Sequence, residues 1–178
     1  MKITANFSES EFSLSNWDTL PQKSKYMAAA LACTLETIRA AAKEKNPKAT
    51  IHLNSGIRSA EHNKEIGGSQ NSDHLYSFAE LSVGAADIVC PEMDMVEFFN
   101  LCLSLRYSGR IKTGQLLFEK NKSYWVHIAN DPALFLSSEQ MKKRSKFSLY
   151  GIAWNFQNGK AGCWNEIPFN SFVKEKAK

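Results

Sequence analysis

Three residues of this 178-residue chain have the side chains of a hydrolytic metal site. They are His74 in Asn71-Ser72-Asp73-His74, Asp87 in Gly84-Ala85-Ala86-Asp87-Ile88, and His127 in Tyr124-Trp125-Val126-His127-Ile128. Two imidazoles and one carboxylate hold Zn²⁺ through three protein ligands and leave a fourth position for water, the arrangement of hydrolytic rather than structural zinc. Any one of the three alone reads as an ordinary hydrogen-bonded polar residue, and the set makes an enzyme the first expectation. Arg58 follows the Gly56 turn, and its planar fork suits a substrate carboxylate or the oxyanion of a tetrahedral intermediate. Hydrolysis also needs a general base within reach of the attacking water.

The elements that must position these residues can be read from pattern. Ser8 and Glu11 form a capping pair for a short helix anchored by Phe7 and Phe12. The clearest helix runs from Lys23 to Glu44, with Met27, Leu31, Leu35 and Ile38 at three- and four-residue spacing, and Asn46-Pro47 stops it. Thr50 to Ser55 alternates as a strand, Ala60 to Ile66 reads as a short helix, and Gly67 to Asn71 is a loop delivering His74. Ala85 to Cys90 is a small-residue strand carrying Asp87. Met95 to Arg106 has helical spacing, and Gln115 to Glu119 with Ser123 to Ala129 predicts a hairpin bearing Glu119 and His127. Ser145 to Phe156 is expected to add one more strand, with Trp154 and Trp164 around the Gly159-Lys160-Ala161-Gly162 turn.

Composition bounds the rest. With 43% hydrophobic and 22% charged residues, the chain suits one domain with a sizeable core. The net charge of +4 is scattered, apart from the run Met141-Lys142-Lys143-Arg144-Ser145-Lys146. Such a mild positive field favours an anionic partner such as a wall polymer and falls short of a nucleic-acid signature, and a solvated charged face is the plainer reading of it. Cys33, Cys90, Cys102 and Cys163 are widely spaced and contain no C-x-x-C pair, so they read as buried free thiols made in a reducing compartment. No apolar run spans a bilayer. The opening Met1-Lys2-Ile3-Thr4-Ala5-Asn6 lacks a signal-peptide pattern. The expectation is synthesis in the cytoplasm, with action on the cell wall after release by lysis, a holin or another export route.

Taken in order, several segments resemble the zinc D-Ala-D-Ala carboxypeptidase and L-Ala-D-Glu endopeptidase family, in its carboxypeptidase-A-like branch, whose fold is shared with the Hedgehog signalling domain. These are Asn6 to Phe12, Ser55-Gly56-Ile57-Arg58-Ser59, Glu61-His62-Asn63, Ile66 to His74, Ala85-Ala86-Asp87-Ile88, Gln115 to Glu119 and Trp125-Val126-His127-Ile128. The likeness covers roughly residues 5 to 130. It implies His74, Asp87 and His127 as zinc ligands and Glu119 as general base, the residue three before the last histidine being Tyr124, which is no carboxylate. Without the resemblance Glu119 reads equally well as an exposed charge at a hairpin end. Ser72 and Asp73 are expected to orient His74. Arg58, Ser72, Tyr76 and Trp125 are the substrate-binding candidates, core packing being the commoner fate of aromatics such as Tyr76 and Trp125, while His52 and His62 are read as structural. One departure stands out: Leu75 to Ala86 separate His74 from Asp87, where the family usually has six residues. An insertion must lie within Tyr76 to Ser82, and Glu80 becomes a rival ligand.

The expected fold is α+β, a small, mainly antiparallel sheet carrying the site with helices on one side. A peptidase core over 1–130 and a C-terminal extension over 131–178 packed on the same domain are expected. The expected function is zinc-dependent hydrolysis of a peptide bond in the peptidoglycan stem peptide, of D,D-carboxypeptidase or endopeptidase type, by a monomer resembling a phage endolysin. Two rivals stand beside it: an inactive, zinc-stabilised wall-binding or virion-associated module of the same fold, and a metal-free interaction protein with the histidines in its core.

Overall fold

Phe7 and Phe12 flank the short helix α1 (Glu9–Phe12), and both are buried. Its start is closed as the sequence predicts, for the Glu11 carboxylate accepts the Ser8 backbone N–H at 2.7 Å, satisfying a donor that a helix N-terminus leaves unpaired. The structure, a computed structural model, describes residues 1–13, 16–155 and 165–166. Cys163, Trp164 and the expected Gly159-Lys160-Ala161-Gly162 turn lie outside the described residues.

Helix α2 (Gln22–Lys45) sets Met27, Leu31, Leu35 and Ile38 on one buried face. Burying each of these large aliphatic chains contributes roughly 1.5–3 kcal/mol. Asn46 ends the helix ahead of Pro47. Cys33 corrects an expectation: it is exposed, because a step of about 100° per residue turns position 33 away from the face that carries Leu31 and Leu35. Cys90 and Cys102 are buried free thiols as expected.

Strands β1 (His52–Ser55), β2 (Ala85–Val89), β3 (Thr113–Lys120), β4 (Tyr124–Asn130), β5 (Ile152–Asn155) and β6 (Asn165–Glu166) form one sheet in the order β1-β2-β4-β3-β5-β6. Every neighbouring pair is antiparallel except β3 with β5. Helices α3 (Ala60–Glu65) and α4 (Met95–Tyr107) lie in the connections, and α5 (Ser138–Lys142) and α6 (Lys146–Tyr150) precede β5. The architecture is therefore α+β with a mainly antiparallel sheet.

Register decides what each face of the sheet carries. Asp87 lies opposite His127, His127 opposite Leu117, and Trp125 opposite Glu119. Because strand side chains alternate, Asp87, His127, Trp125 and Glu119 share one face. Ile88, Leu116, Phe118, Val126 and Ile128 share the other, where they form one buried core with α2 and α4. The strand expected over Ser145 to Phe156 divides into α6 and β5. The reason is local: Ser145 Oγ accepts the Ser148 N–H at 3.0 Å and caps a helical turn before the chain extends. Arg106 on α4 fastens this region, donating to Thr113 Oγ1 at 2.7 Å and to the Tyr150 carbonyl at 3.1 Å.

Candidate metal centre

His74 is delivered by a 3₁₀ turn, Asp73–Phe78, whose N-cap Ser72 accepts the His74 backbone N–H at 3.3 Å. The His74 carbonyl accepts the Arg58 N–H at 2.8 Å, and its ring Nδ1 lies 2.8 Å from the Gly56 carbonyl. A carbonyl only accepts, so Nδ1 carries the proton and Nε2 presents its lone pair. Gly56 itself packs tightly against the first helix, where a Cβ would come within 2.5 Å of the Phe12 carbonyl oxygen. The ring is thus oriented by a main-chain carbonyl; Ser72 acts through the backbone, not through the imidazole.

Asp87 and His127 arrive from adjacent strands at paired positions. His74 Nε2, Asp87 Oδ1 and His127 Nδ1 converge, at 3.2 Å from His74 to Asp87, 3.2 Å from His74 to His127 and 3.0 Å from His127 to Asp87. All three residues are buried. His74 Nε2 and the carboxylate oxygen are both acceptors, and a single proton on His127 Nδ1 cannot satisfy three such contacts. A cation at their centre does. The donor set, two imidazole nitrogens and one carboxylate oxygen, is the one zinc takes. His127 Nε2 is buried with no hydrogen-bond partner among the described residues.

Electrostatics agree with this use. Burial lowers the His74 pKa and keeps the ring neutral. Burial works against the Asp87 charge, but the two imidazoles outweigh it and hold the carboxyl below its ordinary range. Burial also disfavours a charged His127, yet the hydrogen bond and charge of Asp87, helped by Glu119, raise its pKa. Below that raised pKa, metal binding displaces a proton there.

Arg58 is tied to the centre. Its Nη2 donates to Asp87 Oδ2 at 2.6 Å and its Nε to Ser55 Oγ at 2.8 Å. The guanidinium occupies the outer carboxylate oxygen and leaves Oδ1 to face the histidines. Ser55 was not singled out from sequence; its signal is the hydroxyl three residues ahead of the arginine in Ser55-Gly56-Ile57-Arg58. On the same sheet face, Glu119 Oε2 accepts the Trp125 indole N–H at 2.6 Å. Burial raises the Glu119 pKa, and the Asp87 charge adds to the rise against the opposing pull of His127.

Tyr76 is corrected. It was expected as a substrate platform, but it is fully buried, with its hydroxyl donating to the Ala85 carbonyl at 3.0 Å. It is also the one non-glycine residue at positive φ among the described residues, at φ 51° and ψ −132°. The lengthened connection is folded around this ring, which turns the chain inward between His74 and Asp87. Glu80 is not at the centre either: it is exposed and pairs with Lys143 at 3.5 Å. His62 is exposed on α3, 3.7 Å from Glu65, and His52 contacts Thr50 at 2.9 Å, so neither joins the three converging side chains.

A family model described as Peptidase M15 matches residues 5–129, which hold all three converging side chains together with Arg58, Glu119 and Trp125. No curated protein matches the chain. Among the described residues, no helix is long and apolar enough to cross a membrane.

Proposed function

The chain belongs to the peptidase M15 family, and on that premise we propose that it is a zinc-dependent peptidase hydrolysing a peptide bond in the peptidoglycan stem peptide. The observation that carries the reading is the convergence of His74 Nε2, Asp87 Oδ1 and His127 Nδ1 at 3.0–3.2 Å with no proton arrangement that satisfies them.

A zinc ion in such a donor set supplies Lewis acidity and a water acidified toward neutral pH. The protein's own groups do the rest. His74 is kept in one tautomer by Gly56, and Asp87 is held in one orientation by Arg58. Glu119 takes a proton from the attacking water and passes it to the leaving amine. Its Oε2 is occupied by the Trp125 indole, so Oε1 is the oxygen that carries the proton. A carboxylate whose pKa is raised by burial suits both halves of that transfer. Arg58 also borders the centre with positive charge, which suits the carboxylate-bearing stem peptide.

The mildly basic composition, net charge +4, supports action on an anionic wall and the endolysin setting within this proposal. The test is mass spectrometry of purified sacculi incubated with zinc-loaded wild type and Glu119→Gln. New stem-peptide fragments from wild type alone support the peptidase and identify the bond; zinc in both proteins with fragments from neither points to an inactive module of the same fold.

A further inference from the structure

We propose that Arg144 is a positioning residue for the metal centre, setting through Asp73 the backbone that delivers His74. The centre is then completed by chain beyond residue 129, where the family match ends. The proposal rests on the reading of His74, Asp87 and His127 as metal ligands.

Asp73 immediately precedes His74, and its side chain is 1% exposed. A carboxylate so buried needs partners. Arg144, itself 7% exposed, provides two parallel bonds, Nη1 to Oδ1 at 2.9 Å and Nη2 to Oδ2 at 2.8 Å. The Val83 N–H adds a third at 3.0 Å. The same guanidinium donates to the Leu81 carbonyl at 2.6 Å and to the Ser148 carbonyl. The Asp73 carbonyl in turn accepts the Ser82 hydroxyl at 2.9 Å.

One planar cation therefore joins the turn that starts at Asp73, the far end of the lengthened connection at Leu81 to Val83, and helix α6. That connection separates two metal ligands, and a longer flexible connection has more ways to misplace them. Arg144 pins both of its ends, next to His74 on one side and just ahead of the strand carrying Asp87 on the other. A lysine cannot do this, because a single ammonium lacks the flat fork that spans two carboxylate oxygens and two carbonyls.

The test compares Arg144→Met, Arg144→Lys, the double change Asp73→Asn with Arg144→Met, and Arg106→Met in the full chain. The readouts are Zn²⁺ affinity by chelator competition and the visible spectrum of the Co²⁺-loaded protein. Arg106 is the control because it fastens the same C-terminal region through Thr113 and Tyr150 without contacting the His74 turn. Arg144→Met is expected to weaken zinc binding about tenfold or more and to change the cobalt spectrum. Arg144→Lys should fall between it and wild type, and the double change should recover part of the loss by removing the unpaired buried carboxylate. Arg106→Met should keep wild-type affinity and spectrum. Wild-type affinity and spectrum in Arg144→Met overturn the proposal, as does an equal loss in Arg106→Met, which marks general loosening. If Arg144→Met does not fold, Arg144→Lys decides, and its matching wild type overturns the proposal. A wild type that takes up neither metal defeats the metal-centre reading itself, before any variant is compared.

Discussion

Glu119 and Trp125 face each other across the β3/β4 pair, and the indole N–H meets the carboxylate at 2.6 Å. The tryptophan is thus a partner of the acid beside the metal centre. The indole stabilises the ionised form of Glu119, while burial and the Asp87 charge raise its pKa.

A base must be ionised to act, so a raised pKa moves the loss of activity on acidification to higher pH. The acid limb of kcat/KM reports that ionisation in the metal-loaded enzyme, where the added cation opposes the rise that burial gives the metal-free protein. Trp125→Phe removes the hydrogen bond that favours the charged form and should move that limb higher. A pH–rate profile in which Trp125→Phe shifts the limb downward contradicts the assignment.

Glu119→Gln should lower kcat by about 10²–10⁴-fold while zinc content stays at the wild-type level. Glu119 contacts none of the three converging atoms, so metal analysis separates loss of the base from loss of the site.

Arg58→Met frees Asp87 Oδ2 and removes the bond that orients the carboxylate. Zinc affinity should fall about 10–100-fold, read by chelator competition. Unchanged affinity would reassign Arg58 to substrate alone.

Zinc binding should weaken as pH falls. His127 has a raised pKa in the metal-free protein, so below it the metal must displace one proton, and affinity should drop about tenfold per pH unit. His74, whose pKa is lowered, adds no proton in that range. Isothermal titration in buffers of different ionisation enthalpy measures the protons released.

Gly84→Ala should destabilise without touching a ligand. Gly84 has φ +84°, and a Cβ there would lie 3.0 Å from both Met27 Cβ and the Tyr76 ring. A cost of roughly 2 kcal/mol corresponds to a fall in Tm of about 4–8 °C, measured by calorimetry.

The candidate centre was legible in the sequence because ordered segments, from Ser55-Gly56-Ile57-Arg58 to Trp125-Val126-His127-Ile128, resemble the peptidase family, whereas either histidine or the aspartate taken alone reads as an ordinary hydrogen-bonded polar residue. Helix α2 was legible because its apolar spacing repeats with the helical period over many residues. What only the tertiary structure decided are matters of contact between segments distant in sequence. Tyr76 looks like a platform until the lengthened connection folds around it and buries it beneath Gly84. Arg144 belongs to a solvated charged run by composition, yet it sits against Asp73, 71 residues away, and bonds the carbonyls of Leu81 and Ser148 as well. Local pattern reports which side chains are available and which face of an element is apolar. Which buried carboxylate meets which distant guanidinium is set by strand register and loop path, and these form only when the whole chain packs.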